Sequence, residues 1–198
     1  KAGFARASGP DCTAPAFDLI ETMRFDPEEG IPFLEGHLAR ISASAHELGF
    51  SFDRHAARNQ IQALTFELSE GARVRLTCAR SGTIAIEVAP LPETPTEPLD
   101  CIALPLPVDA GDWRLRHKTT DRGFYADALA AAHELDAHEA LLVQDDGLVT
   151  EGSWTSVFVE REGKLVTPPL TLGLLPGVLR DSLIAQGRAV EGDLTLDD

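Results

Sequence analysis

Apolar residues recur along the first half of the chain with helical spacing and then with strand spacing. From Leu34 they advance in steps of four and three residues to Leu48, which is one face of a helix, and Gly49 stands where a C-terminal cap is expected. A short strand is predicted over 17–24, before this helix, and a second helix over 53–68.

Alternating apolar and polar residues then predict two paired strands. The stretches ARVRLTCAR and TIAIEVAP each place apolar side chains at every second position, and Ser81-Gly82 between them suits a tight turn. The first half therefore reads as a layer of helices and antiparallel strands.

The second half is rich in predicted strands. CIALPL predicts a strand, and a helix is predicted over roughly 123–136. EALLVQ-DDG-LVTE and SVFVERE-GK-LVTP predict hairpins, each with a glycine at its turn. AVEGDLTLDD predicts a strand followed by the start of a helix.

The stretch PLPETPTEP, residues 90–98, carries four prolines and no apolar periodicity, so it contains the predicted linker. The sequence thus predicts an α/β (α+β) protein of two domains. A small N-terminal α/β domain covers 15–92, an interdomain linker covers 93–98, and a larger strand-rich C-terminal domain covers 99–198. Residues 1–14 are expected to be a linker or tail, and the C-terminal domain is expected to be incomplete at its C-terminus.

Composition narrows the function classes. Hydrophobic residues make up 43% and charged residues 25%, which is ordinary for a soluble globular chain. No apolar run approaches the ~18 residues of a membrane span, and the first residues lack a secretory signal, so we expect a cytoplasmic protein without membrane contact. The net charge of −15 disfavours nucleic acid as a partner. The only methionine is Met23, so we expect a processed or excised chain.

Neither cysteine nor histidine spacing indicates a metal site. Cys12, Cys78 and Cys101 are odd in number and widely separated, which also argues against a disulfide framework. His133 and His138 are five residues apart, whereas two ligands on one helix face need a spacing near four. No bound metal is expected.

One stretch predicts an anion site. Gly173, Pro176 and Gly177 form a turn, and an amphipathic helix begins at Val178. A turn that opens a helix presents unpaired backbone N–H groups and the positive end of the helix dipole, so phosphate is a candidate ligand. An ordinary loop-to-helix connection is the alternative.

Three charged residues indicate a function only when they are considered together with this predicted anion site. HLAR places His37 and Arg40 three apart on the first helix, and an arginine can bind phosphate through two hydrogen bonds. TEGSWTSVF places Glu151 just before a strand, and LRHKTTDR places Lys118 in a polar loop. Taken singly, each is more typical of a solvated surface or turn residue.

The ordered set of these segments resembles the fold type IV pyridoxal-phosphate enzymes, a family that includes branched-chain and D-amino-acid aminotransferases and aminodeoxychorismate lyase. The similar segments, in chain order, are FDLIETMR, HLARISASAHELGF, HKTTDR, TEGSWTSVF and GLLPGVLRDSLI. The first, third and last are most similar to aminodeoxychorismate lyase, especially to lyase domains fused behind the synthase that makes their substrate.

The resemblance implies a role for each candidate residue. Lys118 matches the lysine that forms the Schiff base with pyridoxal 5'-phosphate and then moves protons. Glu151 matches the carboxylate that keeps the pyridine nitrogen protonated. Arg40 matches the phosphate-binding arginine, and Val178 and Leu179 match the positions whose backbone N–H groups bind the phosphate.

Some positions depart from the aminotransferase pattern. Leu179 stands where aminotransferases often have threonine, and Ser156, a candidate cofactor contact, stands where many members have asparagine. Gly123 replaces the tyrosine of branched-chain enzymes, and Arg122 or Tyr125 could substitute for it. These differences weaken an aminotransferase interpretation more than a lyase one. In the family, a further segment after the last residue of this sequence completes the phosphate site.

The sequence therefore predicts a lyase that converts 4-amino-4-deoxychorismate to 4-aminobenzoate and pyruvate, in folate biosynthesis. The alternatives are an aminotransferase of the same fold and a non-catalytic folded fragment. Thr22 and Arg24 are the candidate ligands of the substrate carboxylates. The resemblance also implies a homodimer, and a fused or associated aminodeoxychorismate synthase as a partner.

Overall fold

The structure, a computed structural model, describes residues 17–198 and confirms the predicted mixed α/β class. Within that range it has five α-helices, a 3₁₀ turn at Leu170–Leu172 and three sheets of three strands each. In chain order the elements are β1 (Leu19–Phe25), α1 (Leu34–Leu48), α2 (Arg54–Thr65), β2 (Ala72–Cys78), β3 (Ile84–Pro90), β4 (Cys101–Pro105), α3 (Trp113–Arg116), α4 (Gly123–Glu134), β5 (Glu139–Val143), β6 (Val149–Gly152), β7 (Val159–Arg161), β8 (Lys164–Thr167), α5 (Val178–Ala185) and β9 (Ala189–Glu191).

The first sheet is an antiparallel meander, β1-β2-β3, covered by α1 and α2. Leu38 and Ile41 of α1 belong to the same hydrophobic core as Val74 and Leu76 of β2, and all four side chains are buried. Each such side chain contributes about 1.5–3 kcal/mol by leaving water, so the periodic apolar face of α1 fixes the helix on the sheet. The predicted turn at Ser81-Gly82 is confirmed, with Gly82 at φ 91°.

The other two sheets combine predicted hairpins with parallel pairs that the sequence did not predict. The hairpins β5–β6 and β7–β8 are confirmed as antiparallel. β4 pairs with β5 in parallel, and β8 pairs with β9 in parallel. A helix lies between the two strands of each parallel pair, as a crossover requires.

The loop that carries Lys118 is joined to β1. Ile20 N donates to Lys118 O at 3.0 Å, Thr120 N donates to Asp18 O at 2.9 Å, and Leu19 forms an isolated antiparallel bridge with Thr119. This connection brings the lysine of the second half against the first sheet.

One detail differs from the predicted elements, and two predictions remain open. α2 ends at Thr65, three residues before the predicted end, although Leu68 still packs against the first core. After β9 the chain makes a turn in which Thr195 N donates to Asp198 Oδ2 at 2.8 Å and Asp197 N donates to Thr195 Oγ1 at 3.4 Å. These are the hydrogen bonds of a helix N-cap, and the predicted helix start there stays a prediction. Residues 91–100 contain no helix or strand, and the division into two domains stays a prediction.

No helix among residues 17–198 is both long enough and apolar enough to cross a membrane. The same part of the chain contains no group of three or more His, Cys, Asp or Glu side chains placed to hold a metal ion. Of the cysteines, Cys78 is buried and Cys101 exposed, both as free thiols, while Cys12 lies outside the described residues.

Candidate active site

Lys118 is a half-buried lysine whose backbone is held against β1. Burial lowers the pKa of Lys118 from its ordinary value of 10.5 to about 8, because removal from water disfavours the charged amine. A substantial fraction of the amine is therefore neutral at mildly alkaline pH. A neutral lysine amine can attack a carbonyl carbon or accept a proton.

Four charged side chains act on this amine. Arg40, Arg122 and Arg75 lower the pKa of Lys118 further through their positive charges, whereas Glu21 raises it. The four come from α1, from the loop before α4, from β2 and from β1, so the lysine lies where both halves of the chain meet.

Two of these arginines lack a direct ion-pair partner among the described residues. Neither Arg75 nor Arg122 forms an ion pair with any residue between 17 and 198. The guanidinium carbon of Arg122 lies over the ring of Tyr125, 4.3 Å from its centroid. Burial lowers the pKa of Arg122, so an anionic ligand would relieve this desolvated cation. The surroundings of Lys118 thus favour a negatively charged ligand.

Arg40 is anchored on both sides of the site. Its Nε donates to Glu21 Oε1 at 2.8 Å and its Nη2 to Glu21 Oε2 at 2.6 Å, while Nη1 donates to Pro176 O at 2.9 Å. Because a guanidinium has five N–H groups, two remain for a ligand. His37 Nδ1 lies 2.8 Å from Glu21 Oε2. Although burial raises it, hydrogen bonds from His37 and Arg40 hold the pKa of Glu21 below its ordinary value.

Glu151, at the third position of β6, is the second buried carboxylate of the site. Oε1 accepts a hydrogen bond from the hydroxyl of Tyr125, and Oε2 accepts one from Leu175 N at 3.2 Å. Burial raises the pKa of Glu151 to about 7, and Tyr125, Leu175, Arg122 and Lys118 each oppose that rise. The charge of Lys118 therefore lowers the pKa of Glu151, and the ionised carboxylate can stabilise a positively charged ligand atom.

The start of α5 lies beside Arg40. Gly177 is the N-cap, and no side chain caps the helix, so the N–H groups of Val178 and Leu179 in its first turn have no intrahelical acceptor. Ser156 lies against the cap, because a Cβ on Gly177 would come within 2.6 Å of its Oγ. The side chain of Leu179 is exposed and has no polar atom, so only its backbone N–H can bind a polar ligand.

These contacts bring together most of the residues that the sequence proposed. The charge of Lys118 lowers the pKa of Glu151, Arg40 bonds to the turn before α5, and Ser156 lies against that turn. Their roles toward a cofactor stay predictions. The segment 173–177 links them, since it supplies both Leu175 N to Glu151 and Pro176 O to Arg40.

The two candidate substrate ligands lie in different surroundings. Thr22 is half-buried and faces Arg75 in the register of β1 and β2, so it lies near the site. The side chain of Arg24 is 64% exposed and bonds to Asp26 at 3.3 Å. The structure therefore does not bring Arg24 to the cluster.

Two residues of the cluster were not anticipated from the sequence. Glu21 could have been predicted from the sequence, because it lies between Leu19 and Met23 on the core-facing side of β1. A charged side chain in that position needs a buried partner. Arg75 gave no such signal, since an arginine at the polar positions of an alternating strand is ordinary. Of the other nearby arginines, Arg116 is exposed and Arg180 is held by Pro168 O at 2.9 Å and by Glu191.

Comparison with known proteins gives one family match and a consistent set of relatives. The family model described as "Amino-transferase class IV" matches residues 18–198. A curated protein from Schizosaccharomyces pombe named "Putative aminodeoxychorismate lyase" is 30% identical over 180 residues, covering 89% of this chain and 77% of that protein.

Solved structures give the same fold. A crystal structure of a "Putative amino-acid aminotransferase" from Mesorhizobium loti has a TM-score of 0.82 and 35% identity, covering 92% of this chain and 89% of that one. A "hypothetical aminotransferase" from Mycobacterium tuberculosis in a "PLP-bound form" has a TM-score of 0.76 and 23% identity, covering 91% and 73%.

Proposed function

Because this chain belongs to the class IV aminotransferase family, whose members depend on pyridoxal phosphate, we propose that it is a lyase converting 4-amino-4-deoxychorismate to 4-aminobenzoate and pyruvate. The observation that carries pyridoxal-phosphate chemistry is the pair of Lys118 and Glu151, a half-buried amine and a buried carboxylate whose pKa values both move toward neutrality, with the charge of Lys118 acting on Glu151. The S. pombe relative, named as a lyase and matched over most of both chains, supports the choice of reaction.

The residues present fit the cofactor. The amine of Lys118 is suited to the aldehyde, the carboxylate of Glu151 to the pyridine nitrogen, and the two free N–H groups of Arg40 with the start of α5 to the phosphate. When bound, the cofactor supplies an electron sink for a carbanion beside the substrate amine. The orphaned N–H groups at Val178 and Leu179 are the donors that such a phosphate requires.

The protein's own part in the reaction is proton transfer and charge placement. Neutral Lys118 accepts the proton from the amine-bearing ring carbon, and the lowered pKa makes the neutral form accessible near pH 8. The bond between the ring carbon and the enolpyruvyl oxygen then breaks, and protonation of that fragment gives pyruvate. All atoms of the substrate appear in the two products, so neither an oxo acid nor an oxidant is needed.

The substrate carries two carboxylates, and the site offers two unpaired arginines. Arg75 and Arg122 both act on the pKa of Lys118, so an anion bound by them lies next to the reacting amine. Thr22, opposite Arg75 in the sheet, is a candidate hydrogen-bond donor to the same anion. We assign the recognition of substrate carboxylates to this group, in preference to Arg24.

An amino-acid aminotransferase is the second candidate, favoured by the name and 35% identity of the M. loti structure. That reaction uses the same lysine and carboxylate but needs an oxo acid to return the amine. The two candidates therefore differ in their co-substrate requirement.

The decisive experiment incubates cofactor-loaded protein with 4-amino-4-deoxychorismate in the absence of any oxo acid. We expect 4-aminobenzoate and pyruvate in equal amounts, followed by fluorescence and by a coupled lactate dehydrogenase assay. Turnover that appears only with an amino acid and an oxo acid would establish the aminotransferase instead.

The attachment site can be located independently of turnover. Reduction of the loaded protein with borohydride, followed by peptide mass spectrometry, should place the cofactor on Lys118. Lys164 on β8 is exposed and serves as the internal control, since it should remain unmodified. Modification of Lys164 alone would remove the basis of the proposal.

We also propose that the protein acts as a homodimer and works with an aminodeoxychorismate synthase, which supplies the substrate. Light scattering of the purified protein tests the first statement. Co-purification with the synthase from the same source tests the second.

A further inference from the structure

Glu139, the first residue of β5, is a buried carboxylate outside the cluster around Lys118. Its Oε1 accepts hydrogen bonds from Ala140 N at 2.8 Å, from Ser153 N at 2.9 Å and from the hydroxyl of Ser153. Its Oε2 accepts one from Thr155 Oγ1 at 2.9 Å. Three of the four donors belong to Ser153 and Thr155, in the turn of residues 152–155 that begins at the last residue of β6.

No positive side chain balances this carboxylate. Among residues 17–198, no lysine, arginine or histidine lies within ion-pair distance of Glu139. A buried charge without a partner is expensive unless hydrogen bonds satisfy it. The hydrogen bonds from residues 152–155 therefore stabilise the carboxylate of Glu139, and the same hydrogen bonds fix the conformation of this turn.

The turn is closed tightly around the carboxylate. A Cβ on Gly152 would lie 2.9 Å from Glu139 Oε2 and 2.1 Å from Thr155 Oγ1, so even one added methyl group would not fit. Ser153 N also donates to Ala140 O at 3.0 Å, which ties the same turn to the backbone of β5. The conformation of residues 152–155 thus has little freedom.

This turn joins two residues of the active site. Glu151 immediately precedes it and Ser156 immediately follows it. We infer that Glu139 is a positioning residue, which fixes the 152–155 turn and thereby sets the positions of Glu151 and Ser156. The catalytic consequence rests on the proposed function, whereas the effect on the turn does not.

The chain contains a reporter for the turn. Of its two tryptophans, Trp154 lies within the turn and Trp113 lies in α3. Their indole N–H signals appear together in one ¹H–¹⁵N spectrum, and Trp154→Phe assigns them. In cofactor-free Glu139→Ala we expect the Trp154 signal to shift and broaden while the Trp113 signal stays in place.

Conservative and control variants separate positioning from general destabilisation. Glu139→Gln keeps one acceptor oxygen but turns an amide N–H₂ toward a hydroxyl donor, so it should give a smaller displacement of Trp154 than Glu139→Ala. Thr155→Val removes a single donor to Oε2 and keeps the fold testable if Glu139→Ala does not fold. Glu160→Gln changes an exposed carboxylate on β7 and should leave both indole signals unchanged.

Kinetic measurements on the cofactor-loaded protein complete the test. A displaced Glu151 should lower kcat by about 10- to 100-fold in Glu139→Ala, with KM changed by no more than about threefold, and Glu139→Gln should recover part of the loss. Loss of folded enzyme alone would also lower the apparent kcat at constant KM, so kcat is expressed per cofactor-loaded site, counted by absorbance of the Schiff base. Partial unfolding then leaves kcat per loaded site unchanged, whereas a displaced Glu151 lowers it.

The outcomes are distinguishable. If Trp154 and Trp113 respond equally, or if neither responds in Glu139→Gln, Glu139→Ala and Thr155→Val, the inference is overturned. If the wild-type protein binds no pyridoxal phosphate, the proposed function fails, while the cofactor-free indole spectra still decide whether Glu139 fixes the turn.

Discussion

The hydroxyl of Tyr125 donates a hydrogen bond to Oε1 of Glu151, and both side chains are buried. The contact joins α4 to β6 and makes the pKa values of Tyr125 and Glu151 depend on each other. Burial and the charge of Glu151 raise the pKa of Tyr125, while the hydrogen bond from Tyr125 restrains the rise in the pKa of Glu151. Tyr125 is therefore one of the groups that set the protonation state of this carboxylate near neutral pH, together with Leu175, Arg122 and Lys118.

Removal of that phenol should make Glu151 a weaker acid. In Tyr125→Phe the carboxylate loses a donor that stabilises its ionised form, so we expect its pKa to rise above the wild-type value of about 7. A ¹³C-carboxyl NMR titration of glutamate-labelled, cofactor-free protein measures this, with Glu151→Gln identifying the resonance. An unchanged or lower pKa would show that the hydrogen bond contributes nothing to the ionised state.

A neutral amide at position 151 should slow the chemistry without emptying the site. On the proposed function, Glu151→Gln would not keep the pyridine nitrogen protonated, and losing a charge-assisted hydrogen bond of roughly 1.5–3 kcal/mol corresponds to about ten- to a hundred-and-fifty-fold in rate. Single-turnover measurements give the rate, and visible absorbance gives the bound cofactor. Glu160→Gln, at an exposed position, is the matched control. A wild-type rate in Glu151→Gln would place the nitrogen's partner elsewhere.

Local patterns on the sequence were sufficient for much of this molecule, and long-range pairing was not. The apolar steps from Leu34 to Leu48 defined α1 to the residue, because helix period and a glycine cap are both local properties. The parallel pairs of β4 with β5 and of β8 with β9 join strands that are separated in the chain by a helix. Such a pairing cannot be predicted from the pattern of one short stretch. The neighbours of Lys118 are distant in sequence for the same reason.

The site was predictable where its chemistry follows from an ordered set of segments. Lys118, Glu151 and Arg40 were proposed through a resemblance spread over nearly the whole chain; the structure brings them together, and their roles stay predictions. The two oxygens of Glu21 that hold Arg40 were not found, although a carboxylate on the buried side of a strand marks such a partner. Arg75 became visible only when the sheet placed it beside the lysine.

Replacing Lys118 by an apolar residue should increase the free energy of unfolding at neutral pH, and this increase should shrink as pH rises. The pKa of Lys118 falls from 10.5 in its ordinary state to about 8 in the fold, so below pH 8 the folded state carries a charge that it disfavours. As pH rises from about 8 to about 10.5 the unfolded lysine loses its proton as well, and the penalty of about 3 kcal/mol disappears.

Lys118→Met should therefore be more stable than wild type at pH 7 by an amount that shrinks by about 3 kcal/mol by pH 10.5. Urea unfolding of the cofactor-free proteins at both pH values measures the difference. Lys164→Met, at an exposed lysine, should show no comparable pH dependence. A constant difference between Lys118→Met and wild type would mean that the amine titrates normally.

Substrate recognition should depend on Arg75 more than on its neighbour along the strand. Arg75→Ala removes an unpaired cation beside Lys118, and one charge-assisted hydrogen bond of about 1.5–3 kcal/mol corresponds to an increase in KM of about 10- to 150-fold. Arg73→Ala, an exposed position on β2, is the matched control and should leave KM within about twofold. Equal effects of the two variants would assign the carboxylates to other residues.

The bridge between Leu19 and Thr119 has a kinetic consequence for the maturation of the enzyme. Asp18 and Thr120 are 102 positions apart, yet their hydrogen bonds enclose the backbone of the lysine. Closing so long a loop is slow compared with forming α1 or a hairpin, since contacts of high sequence separation form late. The pKa of the lysine amine should thus reach its native value only in the last stage of folding, when the two halves of the chain have met. On the proposed function, an incompletely folded chain would then not bind the cofactor through Lys118.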